Sequence, residues 1–239
     1  DSTLGSPVNP PHDFLPTNRY NTLIQVVFQD SPDMDSTLFW YDEVGRLVVS
    51  QDGRQRPDDL YSYTLRDDLG RTIEVGEITQ ATVMTDSIAR NYTASAFDNW
   101  ISNGTKRQIT NTTYDTAQYV IVIAGDTLLQ ENLRPRVSSI TLNESGTGNA
   151  THYSYDITGN VKTLVQEIAK LDQFGQRYKR IDYDYDYISG NVHKVYYQRG
   201  RRDQFTYRYE YDENNRLIAC YTSVIETDNN DSPLWEKDG

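Results

Sequence analysis

The sequence predicts an all-β fold, a series of antiparallel β-hairpins forming a curved sheet or a partial β-solenoid or shell, and three observations predict it. The first is a short pattern, aromatic-Asp-x-x-Gly-(Asn or Arg)-apolar. It returns as Tyr41-Asp42-Glu43-Val44-Gly45-Arg46-Leu47 and as Tyr155-Asp156-Ile157-Thr158-Gly159-Asn160-Val161. It returns again as Tyr185-Asp186-Tyr187-Ile188-Ser189-Gly190-Asn191-Val192, with one residue inserted, and as Tyr211-Asp212-Glu213-Asn214-Asn215-Arg216-Leu217, with Asn replacing Gly. Arg66-Asp67-Asp68-Leu69-Gly70-Arg71-Thr72 is a weaker copy without the tyrosine. The second observation is strict alternation beside these copies, in Tyr61-x-Tyr63, Tyr153-x-Tyr155, Tyr183-x-Tyr185 and Tyr207-x-Tyr209-x-Tyr211, which puts each tyrosine set on one face of a strand. The third is composition: 36% hydrophobic residues and a mean hydropathy of −0.73 give a thin core, as repeat walls have.

The repeat has a chemical rationale. An Asp opening a four-residue turn accepts hydrogen bonds from the amides that follow it, and a Gly in fourth position takes the left-handed conformation of a hairpin bulge. The structural turn residues are therefore Asp42 and Gly45, Asp67 and Gly70, Asp156 and Gly159, Asp186 and Gly190, and Asp212 with Asn215. Hairpins lying side by side stack their tyrosines into cross-strand ladders, so the 19 tyrosines, against six Phe, read as building material. Their functional alternative is stacking on sugar rings, with Tyr153, Tyr155, Tyr183, Tyr185, Tyr209 and Tyr211 as the candidate aromatic face and Trp40 or Trp100 assisting.

In chain order, residues 1–19 read as a Pro-rich linker or poorly ordered stretch and residues 20–230 as the repeat segment. Within it, 36–78 hold weak repeats, 80–150 are divergent and 151–224 hold the strong ones. Leu23 to Gln29 reads as an apolar strand, followed by the hairpin centred on Gly45, a turn at Asp52-Gly53 and strands flanking Gly70. Ile78 to Thr85 is β-branched enough to continue the sheet. Asp98 to Gly104 reads as loop. Lys106 to Tyr114 alternates and is expected to pair with Gln118 to Ala124, and Val137 to Leu142 begins the next row. Asn143 to Asn149 reads as a connector into strands near 150–155, 160–168, 176–187, 191–197, 204–211 and 216–224. Val161 to Leu171 also fits helical spacing, and the repeat logic favours strand. Very little helix is expected. Residues 231–239 read as the truncated start of a following repeat, and the chain as an interior piece of something longer.

The Tyr-Asp-x-x-Gly-(Arg/Asn)-(Leu/Val) copies resemble the YD repeats of the Rhs proteins, which also occur in bacterial toxin-complex subunits and animal teneurins. Thr151 through Tyr221 carry the resemblance most clearly, and residues 36–78 add two weaker copies. The resemblance implies a β-sheet spiral closing into a hollow shell around a toxic or effector domain, with a C-terminal core that cleaves itself by an aspartyl mechanism. No Asp-Pro-x-Gly core motif is present, so this chain would supply wall only. The implied partners are the remaining repeats and the C-terminal effector of the parent chain, and the implied location is secreted or at a bacterial cell surface.

Charge and motifs bound the alternatives. A net charge of −12 and a pI near 4.6 argue against nucleic-acid binding, which needs a basic stripe. No run of about 18 apolar residues exists to span a membrane as a helix. Cys220 is the only cysteine, so no intrachain disulfide forms, and Leu217 to Tyr221 suggests a small buried strand residue. Arg199, Arg201 and Arg202 read as a solvated turn. Asn91, Asn103, Asn111, Asn143, Asn149 and Asn230 open Asn-x-Ser/Thr triplets and read as turn chemistry. In a strand, Asp182, Asp184 and Asp186 share one face and offer a cation face; yet alternate residues lie about 7 Å apart, too far for one ion to bind three in line. Lys179, Arg180 or Lys194 are expected to offset these charges. His12, His152 and His193 stand apart, without HExxH, His-x-His or Cys-x-x-Cys spacing. No Gly-x-Ser-x-Gly elbow appears. The reading is a non-enzymatic chain that needs no cofactor, with glycans as the alternative partner and strand edges open to self-association.

Overall fold

A computed structural model of the chain describes residues 16–31, 34–91, 95–117, 121–123, 126–144, 147–224 and 236–238. Most of the expected linker, His12, the Asn230 triplet and the start of segment 231–239 lie outside the described residues. The chain divides into two compact units, Asp1–Ile109 and Thr110–Gly239.

The first unit holds β1 (Thr17–Tyr20), β2 (Val26–Ser31), β3 (Met34–Tyr41), β4 (Leu47–Gln51), β5 (Leu60–Arg66), β6 (Thr72–Thr79), and the helices α1 (Asp86–Arg90) and α2 (Ser95–Ser102). Then β7 (Thr105–Tyr114) runs across the boundary. The second unit holds β8 (Ile121–Ile123), β9 (Asp126–Leu128), β10 (Val137–Glu144), β11 (Thr147–Tyr155), β12 (Val161–Ile168), β13 (Tyr178–Tyr185), β14 (Val192–Tyr197), β15 (Phe205–Tyr211), β16 (Leu217–Ser223) and β17 (Glu236–Asp238). The architecture is mainly β, and strands follow one another in sequence order as an antiparallel meander, except that β8 and β9 pair separately.

Each repeat hairpin carries the same irregularity. Tyr41 faces Leu47 while Trp40 faces Val49, so Val48 is the extra residue. The same step skips Ile73 opposite Arg66, Lys162 opposite Tyr155, His193 opposite Tyr185 and Ile218 opposite Tyr211. A bulge at a fixed place strengthens the local right-handed twist and re-aims the returning strand.

The core of the first unit lies between its sheet and its helices: Trp40, Val49, Tyr61, Tyr63 and Ile78 meet Met84, Ala89, Phe97, Trp100 and Ile101. In α2, Phe97, Trp100 and Ile101 fall at i, i+3 and i+4, and all three are buried. Thr85 caps α1, its hydroxyl accepting from Ile88 N at 3.3 Å. Trp100 lies edge-on to Tyr61 at 5.2 Å, and its Nε1 donates to Thr82 O at 2.7 Å. The loop expected at Asp98–Gly104 is therefore largely helix, and the strand expected through Thr85 ends at Thr79. Asp98 and Asn99 looked like turn formers, but three apolar residues on one helical face had a sheet to cover.

The second unit corrects four further expectations. Lys106–Tyr114 does not pair with the described part of Gln118–Ala124; β7 is flanked by β6 and β10, while Ile121–Ile123 pairs with β9. The expected connector at Asn143–Asn149 is mostly strand among the described residues, with Asn143 facing Gly148 and Glu144 facing Thr147. After Ile168 the chain leaves the sheet through a 3-10 turn, Ala169–Phe174, closed by Gly175 at φ +65°. Cys220 is half-buried rather than buried, and faces Tyr209. At the other end of the first unit, the strand expected from Leu23 starts at Val26, after a turn in which Asn21 Oδ1 accepts from Leu23 and Gln25 amides.

Candidate functional site

The repeated turn is the most constant piece of chemistry in the chain. In the copies at Asp42, Asp67 and Asp212, Oδ1 accepts the amides two and four residues on, at 2.7–3.1 Å. In the same copies Oδ2 accepts Nε of Arg46, Arg71 or Arg216 at 2.7 Å. Asp156 is bonded by the Gly159 and Asn160 amides and by the Thr158 hydroxyl, and Asn160 takes the place of arginine at 3.3 Å. In the inserted copy, Asp186 accepts from the Ile188 and Ser189 amides and the Ser189 hydroxyl. These bonds stabilise the ionised carboxylate. Desolvation pushes the other way and is the largest single influence at Asp67 and Asp156, but the bonds together outweigh it and hold Asp67, Asp156 and Asp212 below the usual carboxylate range; amide and hydroxyl of Ser189 do so at Asp186.

The fourth position has left-handed backbone: φ is +91° at Gly45, +80° at Gly70, +100° at Gly159 and +59° at Asn215. Gly159 has a second reason to lack a side chain, because a Cβ there would lie 2.5 Å from Nη2 of Arg136. Neighbouring turns are also tied: Gln25 Nε2 donates to Gly45 O at 3.0 Å, and Asn191 Nδ2 to Asn215 Oδ1 at 3.0 Å.

The motif tyrosine reaches across to the preceding strand. Tyr41 donates its hydroxyl to Val26 O at 2.8 Å, Tyr155 to Val137 O at 2.8 Å, Tyr185 to Val161 O at 2.9 Å and Tyr211 to Val192 O at 3.0 Å. Each acceptor is the first residue of its strand. In the copy without tyrosine, Arg66 Nη1 donates to Thr72 Oγ1 within its own hairpin. Sequence reasoning expects the rings to pack and the hydroxyls to seek water or a carbonyl; what it leaves open is which carbonyl, here that of the valine opening the preceding strand.

Of the candidate aromatic face, Tyr153, Tyr155, Tyr183, Tyr185, Tyr209 and Tyr211 share one side of the second unit's sheet. Rows run from Tyr153 through Leu164, Ile181 and Tyr197 to Phe205, and from Tyr183 through Val195 to Tyr207. Rings two apart on a strand stack, with centroids 6.2–6.5 Å apart. All six are half-buried. Trp40 and Trp100 do not belong to this face; both are core residues of the first unit and offer no sugar platform.

The three aligned carboxylates are not realised. Asp186 lies beyond the end of β13, in its turn. Asp182 is held by Arg180 Nε at 2.7 Å and by the Thr163 hydroxyl at 2.8 Å, and Asp184 faces Lys194 with His193 at 3.6 Å. Lys179 stands on the opposite, tyrosine side, bound to Asp203 and Gln176, each at 2.8 Å, and does not offset this row. Arg199 lies over the Tyr196 ring at 4.9 Å, in a turn where Arg201 N donates to Gln198 O. His152, only 3% exposed, sets Nε2 3.3 Å from Glu167, which also receives Arg177. Burial pushes the His152 pKa down despite Glu167. Among the described residues no helix is long and apolar enough to cross a membrane.

No family model matches the chain, and no curated protein matches it. Among solved structures, the TcdB2-TccC3-Cdc42 complex is 14% identical with a TM-score of 0.39, over 87% of this chain and 11% of that one. The Photorhabdus luminescens Tc holotoxin pore carrying a TccC3 substitution is 14% identical with a TM-score of 0.35, over 84% and 11%. A porin-like protein from Bacteroides uniformis is 12% identical with a TM-score of 0.22, over 80% and 88%. The chain thus spans about a tenth of the length of the Tc chains.

Proposed function

We propose that this chain is a structural, non-enzymatic wall segment of a large secreted or surface-exposed bacterial protein of the Rhs/YD-repeat type. Its partners would be the remaining repeats and the effector domain of its own parent chain, which the wall encloses or presents. The observation that carries the reading is the tie from each motif tyrosine to the first carbonyl of the preceding strand, made four times at 2.8–3.0 Å. Residues of the repeat are committed to internal bonds. The aspartate fixes the turn, the arginine or asparagine completes the aspartate, and the tyrosine fixes one strand against the last. A bulge of one kind in every repeat hairpin adds twist of one sign at each step, which is how a sheet is made to curve on purpose.

Small-angle scattering on the chain tests this, with the parent protein then probed by limited proteolysis. A curved, elongated particle, and a downstream domain protected from protease until the wall is cut, are the expected results. A compact particle, or a downstream domain cleaved as fast as when it is isolated, refutes the wall reading.

A further inference from the structure

On the side of the second unit's sheet away from the tyrosines, β13 to β16 bring one row of side chains together: Asp184, Lys194, Arg208 and Tyr221 stand opposite one another in turn. Two cations are therefore direct neighbours at the centre of the row. Like charges placed directly opposite on adjacent strands are destabilising. Here both are also withdrawn from water, Lys194 and Arg208 being only 8% exposed each, so solvent screens their repulsion poorly.

The surroundings answer one cation and not the other. Arg208 lies over the Tyr221 ring at 4.4 Å, with its Nη2 3.3 Å from Glu210 Oε1. Nearby, Arg180 Nε is taken by Asp182 at 2.7 Å. Asp184, across from Lys194, lies 3.6 Å from His193 Nδ1, and its side chain is 49% exposed. Lys194 itself makes no hydrogen bond or ion pair among the described residues. A buried ammonium without a bond is costly. Arg208, Glu210 and His193 border a cleft of about 570 Å³, through which the row is reached from solvent.

We propose that Lys194 and Arg208 form a seat for one carboxylate group of a bound molecule. The planar fork of arginine and the three-donor ammonium of lysine both make charge-assisted hydrogen bonds to carboxylate oxygens. A carboxylate between them turns a repulsion into two attractions. Glu210 and Asp184 beside the pair leave room for a single negative charge and oppose a doubly charged phosphate. The carboxylate comes from a small free acid or from an Asp or Glu side chain of a polypeptide, and the chemistry of the seat is the same for both. This inference does not depend on the wall reading, since the row exists whatever the chain encloses.

Titration of the chain with acetate, with a capped glutamate-containing peptide and with inorganic phosphate, at ionic strength held constant with chloride, tests it. The side-chain NMR signal of Lys194 should shift saturably with either carboxylate while the exposed lysines do not. The melting temperature should climb with carboxylate concentration, as binding to the folded state alone requires. Lys194→Met should abolish that climb. Tighter binding of the peptide than of acetate assigns the seat to a polypeptide, and equal binding assigns it to small acids. If Lys194→Met does not fold, the Lys194 signal of the parent chain still decides. No saturable shift at Lys194 overturns the proposal. So do phosphate binding more tightly than acetate, or a Lys194→Met chain that keeps the carboxylate dependence.

Discussion

Both units are built from the same hairpin, yet they place their aromatic residues on opposite sides of it. In the first unit Trp40 and Leu65 come one residue before the motif position, with Tyr63 and Tyr61 in step behind Leu65. The side they share is roofed by α1 and α2. In the second unit Tyr153, Tyr183, Tyr207 and Tyr209 are in step with the motif tyrosines, on the other side, and remain half-buried. A one-residue change of phase moves a whole side-chain set across a sheet. The motif fixes the turn and the bulge; the phase of the residues before it decides which side needs a cover. Opposite the tyrosines of the second unit, Ile121, Ile123 and Leu128 of the small β8–β9 sheet pack with Val165 and Tyr178.

The largest test of this contrast is removal of an aromatic from each setting. Trp100→Ala empties a position only 4% exposed, beneath Tyr61 and beside Phe97, and should cost ~3–5 kcal/mol of stability. Tyr209→Ala, on the uncovered face, should cost well under half of that. Denaturant unfolding of both variants measures the difference, and equal losses would show that the second unit's tyrosines are as deeply committed as the first unit's core.

Next in size is the turn, the element the units share. Gly159→Ala combines φ +100° with a Cβ only 2.5 Å from Arg136 Nη2, and should cost ~2 kcal/mol. Gly190→Ala has φ +74° and nothing within 4 Å of its Cβ, so only the backbone cost of ~1 kcal/mol remains. Adding Arg136→Ala to Gly159→Ala should bring it toward the Gly190 value. If the pair of glycine variants melts identically, packing of one turn on the next contributes nothing.

How much of this was legible in the sequence follows from the range of each signal. Turns at Asp42, Asp67, Asp156, Asp186 and Asp212 are encoded by neighbours within about five residues, a range that a local pattern covers. The bulges at Val48, Ile73, Lys162, His193 and Ile218 were hidden, because a skipped residue is defined only by its partner strand. Helix α2 was hidden for a related reason: eight residues carry weak helical preference alone, and the sheet face beneath Phe97, Trp100 and Ile101 supplies most of the stability. The phase difference was in plain view, since Tyr61 and Tyr63 stand an odd number of residues before Arg66 while Tyr153 stands two before Tyr155. Grouping all tyrosine alternations together concealed it.

A smaller effect separates the two tyrosines of a repeat strand. Tyr185→Phe removes the hydroxyl that bonds Val161 O at 2.9 Å and should cost ~1 kcal/mol. Tyr183→Phe, two residues away on the same face, should change stability by only a few tenths of a kcal/mol. Thermal melting of both variants decides whether the motif tyrosine is distinguished by its hydroxyl; equal shifts would mean that ring stacking alone matters.

The smallest effect is acid sensitivity confined to the second unit. Burial holds the His152 pKa below its ordinary 6.5, so the unfolded chain takes up this proton first as pH falls. The stability contributed by neutral His152 is therefore complete above about pH 6.5 and declines as pH drops toward the depressed folded value. Glu167 at 3.3 Å moderates the loss by favouring the imidazolium, though Arg177 already engages that carboxylate. Among the described residues the first unit has no histidine, and the turn aspartates 67, 156 and 212 titrate below the carboxylate range, so neither obscures the window between neutral pH and ~5. Hydrogen exchange in β11 and β12 should accelerate over that window, after correction for intrinsic rates, while β4 to β6 stay constant. His152→Gln should flatten the response; an unchanged slope in that variant would assign the acid sensitivity to other groups.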